Sequence, residues 1–226
     1  WINTGDNTTL YAHWTATVYT ITLNNKGGTG GTESFTIAYN SNTTDPATIT
    51  VPTKKGYTFL GWSMNEDDPQ AQAIIVDSNG TINKDTAYTD ANGNWTGTSN
   101  ATLYAQWEAK GYPITQNMNG KTMSNEGSTS FYVYYETSTV DGYIAPTATG
   151  YTLEGWYNNA AGTTKVMSSD GTLIANVSGY TDASGNWIKA SATTLYAKWT
   201  AKTYTVTLDK GNIVSTATGD ASFTAT

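Results

Sequence analysis

Cysteine and arginine are absent from this chain, and histidine occurs once, as His13. Without cysteine there is no disulfide and no thiolate metal site. Such a composition suits an exported protein that meets oxidising surroundings. All eleven cations are lysines, in no run longer than Lys54-Lys55, against eighteen carboxylates and a net charge of −7. Nucleic acid and anionic membrane surfaces need clustered cations, so neither is expected as a partner. No apolar stretch approaches the roughly 18 residues of a membrane span, so membrane insertion is not expected either. The chain opens at Trp1 without an export signal, which reads as an excised fragment of something longer.

What is present is Thr, Asn, Gly, Ser and Tyr, with Val, Ile and Trp, a mixture that favours strands over helices. The expected class is β-rich, mainly β to α+β. Helix signals are short: Asp67 to Ala73, and the segment before Gly56.

Repetition organises the chain. The hexamer TLYAHW ends at Trp14, TLYAQW at Trp107 and TLYAKW at Trp199, spaced by 93 and 92 residues. GYTFLGW (56–62) returns as GYTLEGW (150–156), and YTDANGNW (88–95) as YTDASGNW (180–187). YTITL at Tyr19 returns as YPITQ at Tyr112 and YTVTL at Tyr204. The expected division is therefore the end of a truncated repeat (1–16), unit 1 (17–109), unit 2 (110–201) and the start of a truncated repeat (202–226). The four-residue connections TATV, EAKG and TAKT are too short and too poor in Gly and Ser to be flexible linkers.

Alternation along a strand puts Leu103, Ala105 and Trp107 on one face, and Thr102, Tyr104 and Gln106 on the other. The position before the tryptophan holds His13, Gln106 or Lys198, three polar residues with little in common, and is expected to face water. The opposite face, including Trp14 and Leu195, Ala197 and Trp199, is expected to close each unit's core. In the opening strand Tyr19, Ile21 and Leu23 point inward, as do Tyr204, Val206 and Leu208. The middle copy carries Pro113 in place of an outward Thr and Gln116 in place of an inward Leu. Since proline cannot donate to a ladder, this strand should lie at an edge or pair on its other side only, and be locally weaker. Ser78-Asn79-Gly80-Thr81 and Ser169-Asp170-Gly171-Thr172 are hairpin signals after apolar runs.

These motifs, GYTFxGW, TLYAxW and the YTVTLDxG restart, resemble the Listeria–Bacteroides repeat, also called the InlB B-repeat type. The resemblance implies bacterial cell-surface modules with a small β-grasp-like fold, arrayed in tandem on adhesins and other wall-attached proteins. It implies an extracellular location, attached through regions of a parent chain outside this sequence. Family units run nearer ~70 residues beside the usual repeat periods. The excess here lies between GYTxxGW and the hexamer, and an added hairpin accounts for it.

Three features invite chemistry. Asp90, Asn92 and Asn94, and likewise Asp182, Ser184 and Asn186, alternate oxygen ligands as calcium loops do. Their glycine is fourth rather than sixth and the later carboxylate is missing, so turns with left-handed Gly93 and Gly185 are the better reading. Trp95 and Trp187, with outward Tyr104 and Tyr196, are candidates for a binding surface. Trp62 and Trp156 are expected in the core if Gly61 and Gly155 mark a bulge. KGGTGGT (26–32) and NGKT (119–122) fall after the first strand and read as hairpin loops, not phosphate loops, because the Walker spacing fails at Thr115. Glu66-Asp67-Asp68 reads as a solvated acidic loop. His13 has no counterpart in either full unit, so neither a catalytic triad nor a cofactor is expected.

Three functions follow from different classes. The leading one is a structural stalk, whose partners are other repeats of the parent chain. The second is a weak multivalent module for host protein or glycan; glycosaminoglycan, an activity proposed within the family, sits poorly with a charge of −7. The third is a hydrolase accessory or an enzyme fragment.

Overall fold

A computed structural model describes residues 11–67, 74–207 and 222–225. Among them every regular element is a strand, and no helix is long and apolar enough to cross a membrane. The segment before Gly56, expected as a helix, instead carries the bridge between Thr53 and Thr29. Most of the other helix candidate, 68–73, lies outside the described residues.

The chain divides into two units, Trp1–Glu108 and Ala109–Thr226. Unit 1 contains β1 (Val18–Asn24), β2 (Ser34–Ala38), β3 (Thr44–Asp45), β4 (Tyr57–Ser63), β5 (Ile74–Asp77) and β6 (Ala101–Ala109). Their order in the sheet is β3-β2-β1-β6-β4-β5. Unit 2 repeats this with β7 (Gly111–Asn117), β8 (Ser130–Tyr134), β9 (Val140–Asp141), β10 (Tyr151–Tyr157), β11 (Lys165–Ser168) and β12 (Thr193–Ala201), ordered β11-β10-β12-β7-β8-β9. A separate antiparallel pair joins β13 (Tyr204–Thr207) to β14 (Ser222–Ala225).

The first and last strands of each unit lie side by side at the centre, in parallel. Ile21 faces Ala101 and Asn24 faces Tyr104; Ile114 faces Thr193 and Asn117 faces Tyr196. Around them β1 with β2, β4 with β5, β7 with β8, and β10 with both β11 and β12 pair antiparallel. Antiparallel neighbours close with short turns, whereas a parallel pair needs a long crossover. Everything between β1 and β6 supplies it.

Alternation decides the faces as expected. In β1, Ile21 and Leu23 are buried while Thr20 and Thr22 are exposed. In the hexamers Leu103, Ala105, Leu195 and Ala197 are buried, and Trp107 and Trp199 are partly buried against the core clusters. Burial of Phe35, Ile37, Trp62, Val76 and Trp95 in one unit is matched by Phe131, Val133, Trp156, Met167 and Trp187 in the other. Each fully buried aliphatic or aromatic side chain contributes roughly 1.5–3 kcal/mol.

Trp62 and Trp156 turn inward through irregular sheet at Gly61 and Gly155, whose φ values are +133° and +145°. Against β12, Leu153 faces Trp199 and Gly155 faces Lys198, leaving Glu154 as the extra residue of a bulge. A Cβ at Gly61 would lie 2.6 Å from the Val76 carbonyl oxygen, and one at Gly155 2.7 Å from that of Met167. Only glycine fits there.

Several expectations need correcting. Gln106 is 5% exposed, not in water, because its amide donates to Ser63 Oγ, the Asn65 carbonyl and the Tyr104 carbonyl. A satisfied polar group tolerates burial. Its counterparts His13 and Lys198 are exposed, as expected. Trp14 is 88% exposed, since residues 11–14 join no strand. Tyr204 and Val206 are exposed, because their two-stranded sheet has no closing strand beside it among the described residues; Leu208 lies outside them. The strand with Pro113 is not an edge but central. Nor does it pair on one side only, since β7 joins both β8 and β12; the proline is tolerated because pairing to β12 begins one residue later, at Ile114, while Pro113 stands opposite Tyr132 of β8.

Candidate functional site

The hairpin turns form as the sequence implies. Asp77 N–H donates to the Thr81 carbonyl, and Ser168 N–H to that of Thr172. Past them, each unit folds a second turn, at 90–94 and 182–186.

In that second turn the aspartate is the organiser. Asp90 Oδ1 accepts the N–H groups of Asn92 and Asn94, and Oδ2 accepts Asn94 Nδ2. Asp182 does the same with Ser184 and Asn186. The backbone N–H of Asn94, or of Asn186, leads in holding each carboxyl below the usual carboxylate range. Gly93 and Gly185 adopt φ of +85° and +83°. These oxygens serve donors of their own loop. Among the described residues no group of three or more His, Asp and Glu side chains is gathered as a metal ion would require.

The turn then delivers its tryptophan to the interior. Trp95 N–H donates to the Ser41 carbonyl, and the Trp95 carbonyl accepts from Asn40 N–H. Trp187 makes the same pair with Thr137 and Glu136. Both rings are fully buried, against Tyr88 at 5.7 Å and Tyr180 at 5.8 Å between centroids. The binding-surface expectation for Trp95 and Trp187 is thus corrected: neither ring reaches solvent. Tyr104 and Tyr196 are half-buried.

A different surface is exposed instead. On the outer face of unit 2, Tyr132 (48% exposed) stands opposite Pro113, and Tyr134 opposite Gly111. Sequence reasoning missed it, although FYVYY at 131–135 alternates inward Phe131 and Val133 with these two rings. Unit 1 has Thr36 and Ala38 at the same places.

The hexamer tryptophans act at the other end of the central pair. Trp107 Nε1 donates to the Asn25 carbonyl at 3.1 Å, and Trp199 Nε1 to the Met118 carbonyl at 3.0 Å. Both carbonyls belong to the hairpin loop after the first strand, so 26–32 and 119–122 are hairpin loops. A Cβ on Gly28 would come within 2.5 Å of the Trp107 ring. In the acidic loop, Glu66 and Asp67 pair with Lys26, and the Glu66 bond leads in raising the Lys26 pKa; Asp68 is outside the described residues.

Comparison with known proteins agrees with these shared features. The Listeria–Bacteroides repeat domain matches residues 19–87 and 112–180, together more than half of the chain. Both matches begin at the opening tyrosine and end before the second turn and the hexamer. A Gly-rich membrane protein of Evansella cellulosilytica is 28% identical over 201 residues, covering 89% of this chain and 18% of that protein. A second membrane protein of that organism is 26% identical over 89% of this chain and 24% of its own length. Internalin H of Listeria monocytogenes is 29% identical over 146 residues, 65% of this chain and 22% of its own length. The chain thus spans about a quarter or less of each of these relatives. No solved structure matches. Two copies of one sheet, with the repeat's motifs in the same places, give one conclusion: the chain belongs to the Listeria–Bacteroides repeat domain family, a repeat domain of surface proteins.

Proposed function

We propose that these units are spacers, forming a section of a structural stalk in a bacterial surface adhesin-like protein. The supporting observation is that two units of one topology follow each other with only Lys110 between the last strand of one and the first of the next. Their tryptophans fill cores and hairpin contacts, and their loop aspartates hold turns, which suits modules built to persist rather than react. An extracellular, wall-attached setting belongs to the same reading, and so does the β-grasp-like assignment, supported by the central parallel pair.

Scattering from this chain, and from one with residues 17–201 duplicated, tests it. The largest dimension should grow in proportion to the number of units; compaction to a globule would overturn the reading.

The outer face of unit 2 favours a second reading, weak multivalent contact with host protein or glycan through Tyr132 and Tyr134. Glycan and host-protein arrays should stay silent for a spacer. Saturable binding abolished by Tyr132→Ser with Tyr134→Ser would favour the binding module.

A further inference from the structure

Tension on a serial chain enters each unit through its first strand and leaves through its last. In both units those strands are neighbours, parallel and central. In a parallel pair the start of one strand and the end of the other lie at opposite ends. Pulling them apart therefore slides β1 along β6 and strains the hydrogen bonds of the ladder together. An antiparallel pair would have its two ends side by side, and its bonds would break singly, each in turn.

From this we infer that each unit is a mechanical clamp, built to resist force along the chain, and that unit 1 is the stronger of the two.

The clamp has the same core in both. Four residue pairs join Ile21–Asn24 to Ala101–Tyr104, and four join Ile114–Asn117 to Thr193–Tyr196. Each is extended at its upper end by the hexamer tryptophan, hooked through Nε1 to the Asn25 or Met118 carbonyl. This hook gives the recurring indole a purpose beyond packing. It ties the closing strand to the loop that follows the opening strand.

At the lower end the units differ. Thr20 N–H donates to Asn100 Oδ1 at 2.9 Å, adding one link below the Ile21–Ala101 pair. In unit 2 the corresponding residues are Pro113 and Ala192. Proline has no N–H and alanine no side-chain acceptor, so donor and acceptor are missing together. The second clamp is one link shorter.

The inference rests on the spacer reading only for its biological setting; the geometry is independent of it. Forced unfolding reports the unfolding barrier, not equilibrium stability. The chain has no cysteine, so introduced pairs define the attachment points. In the full chain, Thr17→Cys with Glu108→Cys loads unit 1 in shear, and Lys26→Cys with Glu108→Cys unzips the same ladder. Freed chain adds about 3.6 Å per residue, which identifies the event.

The shear pair should require clearly higher force than the unzipping pair; equal forces overturn the clamp. Trp107→Phe keeps an aromatic ring and removes the hook, and should lower the shear force while leaving the unzipping force nearly unchanged. Asn100→Ala should lower the stronger of two unfolding events in end-to-end pulling towards the weaker. If it leaves that event unmoved, unit 1's extra link is not mechanical. Denaturant titration of each variant confirms that it is folded. A weak clamp in a chain whose scattering still lengthens with unit number would sink this inference alone. A strong clamp in a compact array would sink the spacer reading alone.

Discussion

The indole N–H of Trp156 donates to the phenol oxygen of Tyr143 at 3.0 Å, and that phenol donates to the Ser169 carbonyl at 2.7 Å. In unit 1 the corresponding indole, Trp62, is fully buried and finds no acceptor among the described residues. Burial raises the Tyr143 pKa, so the phenol stays protonated and keeps both roles. Tyr143→Phe leaves Trp156 and Ser169 without partners, which should cost unit 2 roughly 1–3 kcal/mol. Calorimetry should show the unit 2 transition lowered and unit 1 unmoved; a single unshifted trace would refute the pairing.

Gly61→Ala and Gly155→Ala place a methyl against backbone at a φ that L residues avoid. Each should cost its own unit about 1–3 kcal/mol in backbone strain alone, with the carbonyl clash added. Denaturation midpoints unchanged by either substitution would mean that the bulge can move elsewhere.

Trp95→Ala should unfold or severely weaken unit 1, by roughly 3–5 kcal/mol, as expected for a large core residue. Trp187→Ala should do the same to unit 2. The check is near-ultraviolet circular dichroism with denaturant titration. Variants that stay as stable as the parent would return these rings to the surface.

The loop aspartates give the pH dependence its sign. Asp90, Asp170 and Asp182 have pKa values held below the ordinary carboxylate range, chiefly by backbone N–H groups of Asn94, Thr172 and Asn186. The folded state binds their protons less readily than the unfolded chain. Their stabilising contribution is therefore complete above the ordinary Asp pKa, near ~4, and is lost as pH falls through the depressed folded values. Glu154, lowered first by its hydrogen bond from Thr200, adds in the same direction. Melting temperature should be flat near neutrality and fall in acid. Asp90→Asn with Asp182→Asn should flatten that fall, and an unaltered acid limb would rule out these loops as its source.

The β-rich class, the repeat and the turns could be read from the chain because each is written in local spacing. Two-residue alternation marks inward Ile21, Leu103 and Leu195; the Asn-Gly and Asp-Gly dipeptides mark reversals; the 93- and 92-residue returns mark the units. Gly61 could be suspected as a bulge because alternation alone would have put Trp62 on the wrong face.

Trp95, Gln106 and the strand of Pro113 misled for one shared reason: their surroundings come from distant chain. Trp95 is buried by its backbone pairing with Asn40 and Ser41. Gln106 is buried because Ser63 and Asn65 accept from its amide. Pro113 lies in a central strand because β12 meets β7 only one residue later. The sequence by itself determined which residues alternate, where the chain turns and that the unit repeats, since these are properties of neighbours along the backbone. Only the tertiary structure decided that first and last strands run parallel at the centre, because that pairing joins residues some eighty apart and no local pattern encodes a neighbour across such a gap.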